Sequence, residues 1–366
     1  MDKQYKVGVV GATGMVGQRF VTLLENHPWF KLTVLAASGG SAGKSYEDAV
    51  GSRWAMTTPM PESVKKMTVL DASKVEEVAS QVDFVFCAVN MPKDEIKALE
   101  EAYAKAECPV VSNNSANRFT PDVPMVVPEI NAGDVKLHHG IISNPNCSTI
   151  ITLTAINALR KLSPIRDMVV STYQAVSGAG AGGPIELQNE VDALRAGKTY
   201  APKVFAHQIA YNVIPQIGGE QCDGYTSEEM KLQNEGRKIL HLPDMNVACT
   251  CVRVPVFYGH SESVNIETER KLSAKEARAI LAQAPGVQVY DNPSEKMYPL
   301  AIDAAGEDQT YVGRIREDET IPNGLNLWIV ADNIRKGAAL NAVQIAEELL
   351  RRDLLGVKDR TVFIKK

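Results

Sequence analysis

No apolar run in this 366-residue chain approaches the ~20 residues that a membrane span needs. Nor is positive charge in excess: 39 Lys and Arg stand against 44 Asp and Glu, a net charge of −5 with a pI near 5.8. That leaves no basic footprint for nucleic acid or for an anionic membrane surface. Cysteine is scarce. Cys87, Cys108, Cys147, Cys222, Cys249 and Cys251 are scattered, and Met1-Asp2-Lys3-Gln4-Tyr5-Lys6 leads into a strand-like run without a signal-peptide pattern. These features predict reduced thiols and a cytoplasmic protein, not a disulfide framework. Cys249-Thr250-Cys251 has no paired His or Cys nearby and reads as strand core packing, so no metal site is expected. Internal repeats and low-complexity tracts are also missing from the sequence. What is present is ordinary for a globular enzyme, 45% hydrophobic and 23% charged residues in a length that suits two domains.

The first part of the chain alternates strands and helices. Tyr5–Val10 reads as a buried strand, a helical pattern runs through Phe20, Val21, Leu23 and Leu24, and Leu32–Ala37 is a second strand. Asp83–Val89, Pro109–Ser112 and Ile141–Ser143 follow as strands, with a helix from Pro92 to about Ala106. This order predicts an α/β fold with a Rossmann-like, doubly wound parallel sheet. After Cys147 the pattern changes to longer strand-like runs, 168–174, 247–256, 264–269, 310–316 and 325–331. They predict an α+β second domain built on an antiparallel sheet with helices on one face. A helical stretch from Lys336 to Leu355 would return to the first domain. The expected domains are 1–146 with 332–366, and 147–331. The run Gly178-Ala179-Gly180-Ala181-Gly182-Gly183 reads as a local mobile loop.

Between the first strand and helix lies Gly11-Ala12-Thr13-Gly14-Met15-Val16-Gly17. Its spacing is G-x-x-G-x-x-G, in the place where backbone N–H groups meet a dinucleotide pyrophosphate. A tight turn without a ligand is the plainer reading of glycine alone. The second strand ends in Ala36-Ala37-Ser38-Gly39-Gly40-Ser41 with no Asp or Glu. An NAD enzyme usually carries a carboxylate there for the ribose hydroxyls. Its absence favours NADP, although no Arg is present for the 2′-phosphate.

The most informative segment is Ser143-Asn144-Pro145-Asn146-Cys147-Ser148-Thr149, a polar loop that runs into an apolar helical stretch. It places Cys147 at a helix N-terminus, where the positive end of the dipole favours a thiolate. Cys147 is therefore a candidate nucleophile. His260 is a candidate partner and Arg253 a candidate carboxylate ligand, though singly they also read as a structural histidine and half of a buried ion pair. Glu228 and Lys231 share a helix face, as ligands for an ammonium and a phosphate or as a solvated pair. Gln174 at a strand end could orient a carbonyl, and Arg118 could bind an anion. Their plainer readings are a polar strand end and an ordinary loop arginine.

Together these stretches resemble the aspartate-β-semialdehyde dehydrogenase family. The matching segments are Gly11–Gly17, Ser143–Thr149, Gln174–Gly180, Glu228 with Lys231, Arg253 through His260 to Ser263, and Lys336–Ala342. The resemblance implies NADPH-dependent reduction of L-4-aspartyl phosphate to aspartate semialdehyde and phosphate, a step towards lysine, threonine and methionine. It implies Cys147 as the nucleophile that forms an acyl-thioester, His260 as acid/base and Gln174 as the residue that orients the acyl group. Arg253 would bind the substrate carboxylate and Glu228 its ammonium, while Lys231, Arg118 and Asn146 would hold phosphate. Gly11, Thr13, Gly14, Met15, Val16, Ser38, Ser41, Ser177, Gly178 and Asn341 would line the NADP site. A homodimer through the second domain is implied as well. Competing readings are N-acetyl-γ-glutamyl-phosphate reductase, whose substrate lacks a free ammonium, a related acyl-CoA reductase, and a non-catalytic NADP-binding homologue.

Overall fold

The computed structural model describes residues 4–355. The expected domain ends 1–3 and 356–366 lie outside the described residues. The chain divides into two compact units, one formed by the residues up to Pro145 and those from Ala338 on, the other by Asn146–Gly337.

The first unit is built on a six-stranded parallel sheet of β1 (Tyr5–Val10), β2 (Phe30–Ala37), β3 (Val69–Asp71), β4 (Phe84–Cys87), β5 (Val110–Ser112) and β6 (Ile141–Ser143). Their order in space is β3-β2-β1-β4-β5-β6. The order reverses between β1 and β4, and ligands of such sheets bind beyond the strand carboxyl ends at that point. Both sheet faces are covered. Phe84 and Phe86 of β4 enter one core, whereas Val85 and Cys87 enter the other. That alternation is why β4 reads as a continuous apolar run. Helix α1 (Met15–Leu24) packs Phe20 on Phe86, with ring centroids 4.6 Å apart, and α2 (Lys93–Lys105) follows β4. The last helix among the described residues, Leu340–Arg351, buries Ala342, Val343, Ala346, Leu349 and Leu350 in the same core. This is the expected return to the first domain. It begins later than expected, because Arg335–Ala339 forms a π-helical turn first.

The second unit holds a six-stranded sheet of β7 (Ile165–Gln174), β8 (Asn246–Arg253), β9 (His260–Thr268), β10 (Val287–Val289), β11 (Thr310–Asp318) and β12 (Gly324–Ala331). Its spatial order is β8-β7-β9-β12-β11-β10. The sheet is mixed, not purely antiparallel as expected: β8 pairs with β7 in parallel, and so does β10 with β11. Each of those pairs is joined by a helical crossover, which strand patterning alone does not reveal. Helix α3 (Cys147–Leu162) lies in the core, with every residue from Ser148 to Leu159 buried. The opposite sheet face stays open, with Val169 and Tyr173 exposed and Tyr173 leaning on Trp328. The glycine run expected to be mobile is ordered, with a 3₁₀ turn at Val176–Ala179 leading into α4 (Gly182–Arg195). Among the described residues, no helix is long and apolar enough to cross a membrane.

Candidate active site

Cys147 is the first residue of α3. Asn146 caps the helix: its side-chain oxygen accepts the N–H of Ser148 at 3.0 Å and of Thr149 at 3.3 Å. Helix α5 (Ser227–Leu240) clamps the same asparagine. Glu235 accepts the Asn146 backbone N–H at 2.7 Å, and Glu228 accepts its Nδ2 at 2.9 Å. Glu228 and Glu235 lie seven residues apart, two turns along one helix face. A capping box between Thr226 and Glu229 sets where α5 begins, and Glu229 also accepts the Cys251 N–H at 3.0 Å. The start of α5 is thereby tied to β8.

Sheet topology supplies the other groups. Gln174 ends β7 and Arg253 ends β8, and these parallel neighbours are in register. His260 begins β9, which runs antiparallel to β7, so all three reach one sheet edge. Gln174 Nε2 lies 3.2 Å from Glu228 Oε1 and 3.4 Å from His260 Nε2. Lys231 Nζ donates to Glu228 Oε2 at 2.9 Å. Two glycines give this cluster room. A Cβ at Gly178 would stand 2.7 Å from Arg253 Nη1, and one at Gly337 would stand 3.1 Å from the Cys147 Cβ.

The electrostatics differ from the helix-terminus expectation. Cys147 keeps part of its surface open, yet burial of its surroundings and the nearby Glu228 push the thiol up to about 12. Arg253, Lys231 and the Ser148 N–H pull it down by less. The helix start still acts in the expected direction through the Ser148 N–H, but burial in a dry pocket outweighs it. Burial also acts to raise Glu228, but Lys231 and the hydrogen bonds from Asn146 and Gln174 overcome it and hold the carboxyl at about 2. His260 is pushed down to about 3 by burial, then by Arg253. Its Nδ1 accepts the Ala175 N–H at 3.0 Å, so the neutral ring carries its hydrogen on Nε2. Arg253 is buried and donates from Nη1 to the Ala175 carbonyl at 2.7 Å. Among the described residues it has no ion-pair partner, which removes the reading of a buried internal salt bridge.

Sequence reasoning missed Glu262. It lies two residues beyond His260 on β9, fully buried, and accepts the Thr152 hydroxyl. Burial pushes this carboxyl up to about 8. The alternation of β9 was the available signal, since a carboxylate at an inward strand position is unusual. Asn333 was missed too. It joins the turn before α4 to the start of β9 through Ser177 Oγ at 3.0 Å and the Gly259 N–H at 3.0 Å.

In the first unit, Gly11 has φ +92°, and a Cβ there would stand 2.3 Å from the Ala88 carbonyl oxygen. A Cβ at Gly17 would stand 2.2 Å from the Gly11 oxygen, so this glycine lets helix and turn meet. Gly14 caps α1 without any side-chain acceptor, which suits its first-turn N–H groups to a pyrophosphate. Thr13 precedes that cap and Met15 and Val16 open α1, while Gln18 pins the turn by donating to the Thr13 oxygen at 3.0 Å. Ser38 is exposed at the end of β2, and the Ser41 N–H donates to its carbonyl at 2.9 Å.

The expectation that no carboxylate faces this loop needs correction. Asp71 of β3 pairs in register with Ala37, and its Oδ2 lies 3.4 Å from where a Gly39 Cβ would stand. A neighbouring strand supplies it, so reading along β2 does not find it. Three expected ligands are already committed to internal bonds. The carboxamide of Asn146 serves the α3 cap and Glu228. Arg118 is buried, donating to the carbonyls of Asn144 at 3.0 Å and Asn113 at 3.2 Å. Asn341 is fully buried and donates to Val126 O at 3.0 Å and Asn144 Oδ1 at 2.7 Å.

Residues 6–138 match the semialdehyde dehydrogenase NAD binding domain, and residues 156–336 match the semialdehyde dehydrogenase dimerisation domain. An aspartate-semialdehyde dehydrogenase of Aquifex aeolicus is 46% identical over 357 residues, spanning 96% of this chain and 99% of its own length. The chain belongs to the aspartate-semialdehyde dehydrogenase family. Two solved structures of that family set the scale of likeness. Aspartate semialdehyde dehydrogenase II of Vibrio cholerae, complexed with ASA, superposes with a TM-score of 0.86 at 38% identity, covering 96% of this chain and 99% of that one. The Candida albicans enzyme with NADP gives a TM-score of 0.77 at 27% identity, covering 96% of this chain and all of that one, 100%. The family's dinucleotide-binding and dimerisation domains are thus both represented here.

Proposed function

We propose that this enzyme reduces L-4-aspartyl phosphate to L-aspartate 4-semialdehyde with NADPH, through an acyl-thioester on Cys147. The observation that carries the reading is Arg253, a buried guanidinium without an ion pair among the described residues, at the same sheet edge as Gln174 and His260. A bidentate fork suits the substrate α-carboxylate. Glu228, charged throughout the neutral range, suits the α-ammonium. Binding an ammonium there would offset the carboxylate that, after burial, most raises the Cys147 thiol. Substrate would in this way help to make its own nucleophile.

The Cys147 Sγ then attacks the acyl carbon, the bond to the phosphate oxygen breaks, and the departing phosphate takes up the thiol proton with Lys231 beside it. Arg118 is assigned to anion binding by the resemblance. NADPH, when bound, supplies the hydride for reducing the thioester. His260, with its hydrogen on Nε2, serves as a neutral donor to the acyl oxygen, a role an imidazole with depressed basicity performs well. Collapse of the hemithioacetal breaks the carbon–sulfur bond, frees the aldehyde and returns the thiolate. Gln174 orients the acyl group.

The Gly11–Val16 turn with Ser38 and Ser41 would hold NADP, and the small Gly178 beside Ser177 admits close approach to the reacting centre. Asn341 would act through Asn144. We assign the unit that ends at Pro145 and resumes at Ala338 to cofactor binding, and Asn146–Gly337 to catalysis and dimerisation, which moves Asn146 and residues 332–337 out of the expected cofactor domain. The protein is proposed to act as a cytoplasmic homodimer that pairs through the open sheet face carrying Val169 and Tyr173. An N-acetylated substrate would leave Glu228 without its ammonium, which argues against the acetylglutamyl reading.

The test is phosphate-dependent reduction of NADP with aspartate semialdehyde, run beside N-acetylglutamate semialdehyde. Turnover of the aspartyl substrate alone is expected. Turnover of the acetylated substrate alone would overturn the roles of Glu228 and Arg253.

A further inference from the structure

Residues 196–226, between α4 and α5, contain little regular structure beyond a short hairpin at Glu220–Cys222 and Tyr225–Thr226. Two buried carboxylates on α4 hold the stretch in place. Glu186 accepts three successive backbone N–H groups, from Lys203 at 2.7 Å, Val204 at 2.8 Å and Phe205 at 2.9 Å. One turn later, Glu190 accepts those of Ile209 at 2.8 Å and Ala210 at 2.7 Å. Both side chains are almost wholly enclosed, at 2% and 1% exposure. Two like charges at i and i+4 work against a helix. Here the five charge-assisted donors offset that penalty.

The pinned stretch meets Arg253 twice. Ile214 and Arg253 exchange backbone hydrogen bonds at 2.9 and 2.8 Å. The Phe205 ring lies against the guanidinium, 5.9 Å from its centroid to the central carbon. Phe205 is the third residue of the Glu186 clasp, so the carboxylate sets where the ring stands. A cation held on an aromatic face, with no carboxylate ion-paired to it among the described residues and with Nη1 tied to the Ala175 carbonyl, has its fork held in one direction.

We propose that Glu186 is a positioning residue for recognition of the substrate carboxylate: by clasping residues 203–205 it fixes Phe205 against Arg253 and so sets the direction of the guanidinium fork. The proposal rests on the reading of Arg253 as the carboxylate ligand.

The experiment measures steady-state constants for aspartate semialdehyde, phosphate and NADP with Glu186→Gln, Phe205→Leu, Arg253→Lys and the two double variants that contain Arg253→Lys. Glu186→Gln and Phe205→Leu are each expected to raise the KM for aspartate semialdehyde about five- to twentyfold, the scale of a desolvated cation–π contact. Their kcat and phosphate KM should stay within about twofold, a split that a merely structural defect would not produce. Neither change should add much on top of Arg253→Lys, because both act through that side chain. If Arg253→Lys raises the KM while Glu186→Gln and Phe205→Leu leave it unchanged, the positioning role is wrong and the carboxylate reading stands. If Arg253→Lys itself leaves the KM unchanged, the carboxylate reading falls and takes the proposal with it. Should Glu186→Gln fail to fold, Phe205→Leu decides alone, and an unchanged KM overturns the proposal.

Discussion

Glu262 makes the most exacting test of the physical account. Fully buried, with Oε1 lacking a hydrogen-bond partner and burial pushing it up to about 8, it is carried as a neutral acid at pH 7. Its ordinary value is 4.5, so the folded state holds a proton that the unfolded state has released. Such a group contributes its full stability below about 4.5 and loses it as pH rises through 8. The slope is about 1.4 kcal/mol per pH unit while only the folded form is protonated. Between pH 6.5 and 8 that amounts to roughly 1.5–2 kcal/mol. The window is clean. His260, pushed down to about 3, contributes stability that is complete above its ordinary 6.5 and is lost only as pH falls below it. Cys147, up at about 12 from an ordinary 9.0, does not begin to matter until above 9. Glu262→Gln keeps the shape, keeps an acceptor for Thr152 and removes the titration. Urea midpoints from pH 6.5 to 8 should fall by about 0.5–1 M in the wild type. They should stay level in the variant. Parallel curves for the two proteins would refute the reasoning, because an ionised Glu262 would then already be tolerated.

Three further outcomes are expected. Gly337→Ala places a methyl 3.1 Å from the Cys147 Cβ, so kcat should fall about ten- to a hundredfold. Binding of NADP, followed by fluorescence titration, should not change. Asp71→Asn removes a carboxylate beside the Ser38–Gly40 loop, and the ratio of kcat/KM for NADPH over NADH should rise about fivefold; an unchanged ratio would show that Asp71 does not sense the 2′-phosphate. Tyr173→Asp puts a charge on the open sheet face and should shift the mass measured by light scattering from dimer to monomer, with an unaltered mass assigning the contact to another surface.

Where local sequence carried the physics, the structure was legible. The switch from a buried strand to a 3.6-residue period across Gly11–Gly17 gives β1, the turn and α1 directly. The apolar run after Cys147 gives α3. Features that arise from pairing distant segments were not legible. Strand β3 has three residues, too few for a period, and only its place beside β2 brings Asp71 to the Ser38–Gly40 loop. The parallel pairing of β7 with β8 depends on a crossover whose direction no strand pattern encodes. The acidity of Cys147 was misjudged because a helix terminus is visible in sequence and the dryness of a pocket is not. Asn146 and Asn341 show a related limit, since a motif names a residue without saying which of its hydrogen bonds are already taken.

The interleaving of the two units bears on how the protein is made. The first unit's core closes only with Leu340–Arg351, while its strands end at Ser143. The second unit occupies the interval, and its last contribution beside Cys147, Gly337, comes three residues before that helix. During translation, Cys147 therefore emerges long before His260 and Gly337 can surround it. A ribosome that stalls before residue 340 releases a chain with neither a finished cofactor domain nor a finished pocket. Such a product is a substrate for proteases and chaperones, not a half-active enzyme that binds dinucleotide without turning it over.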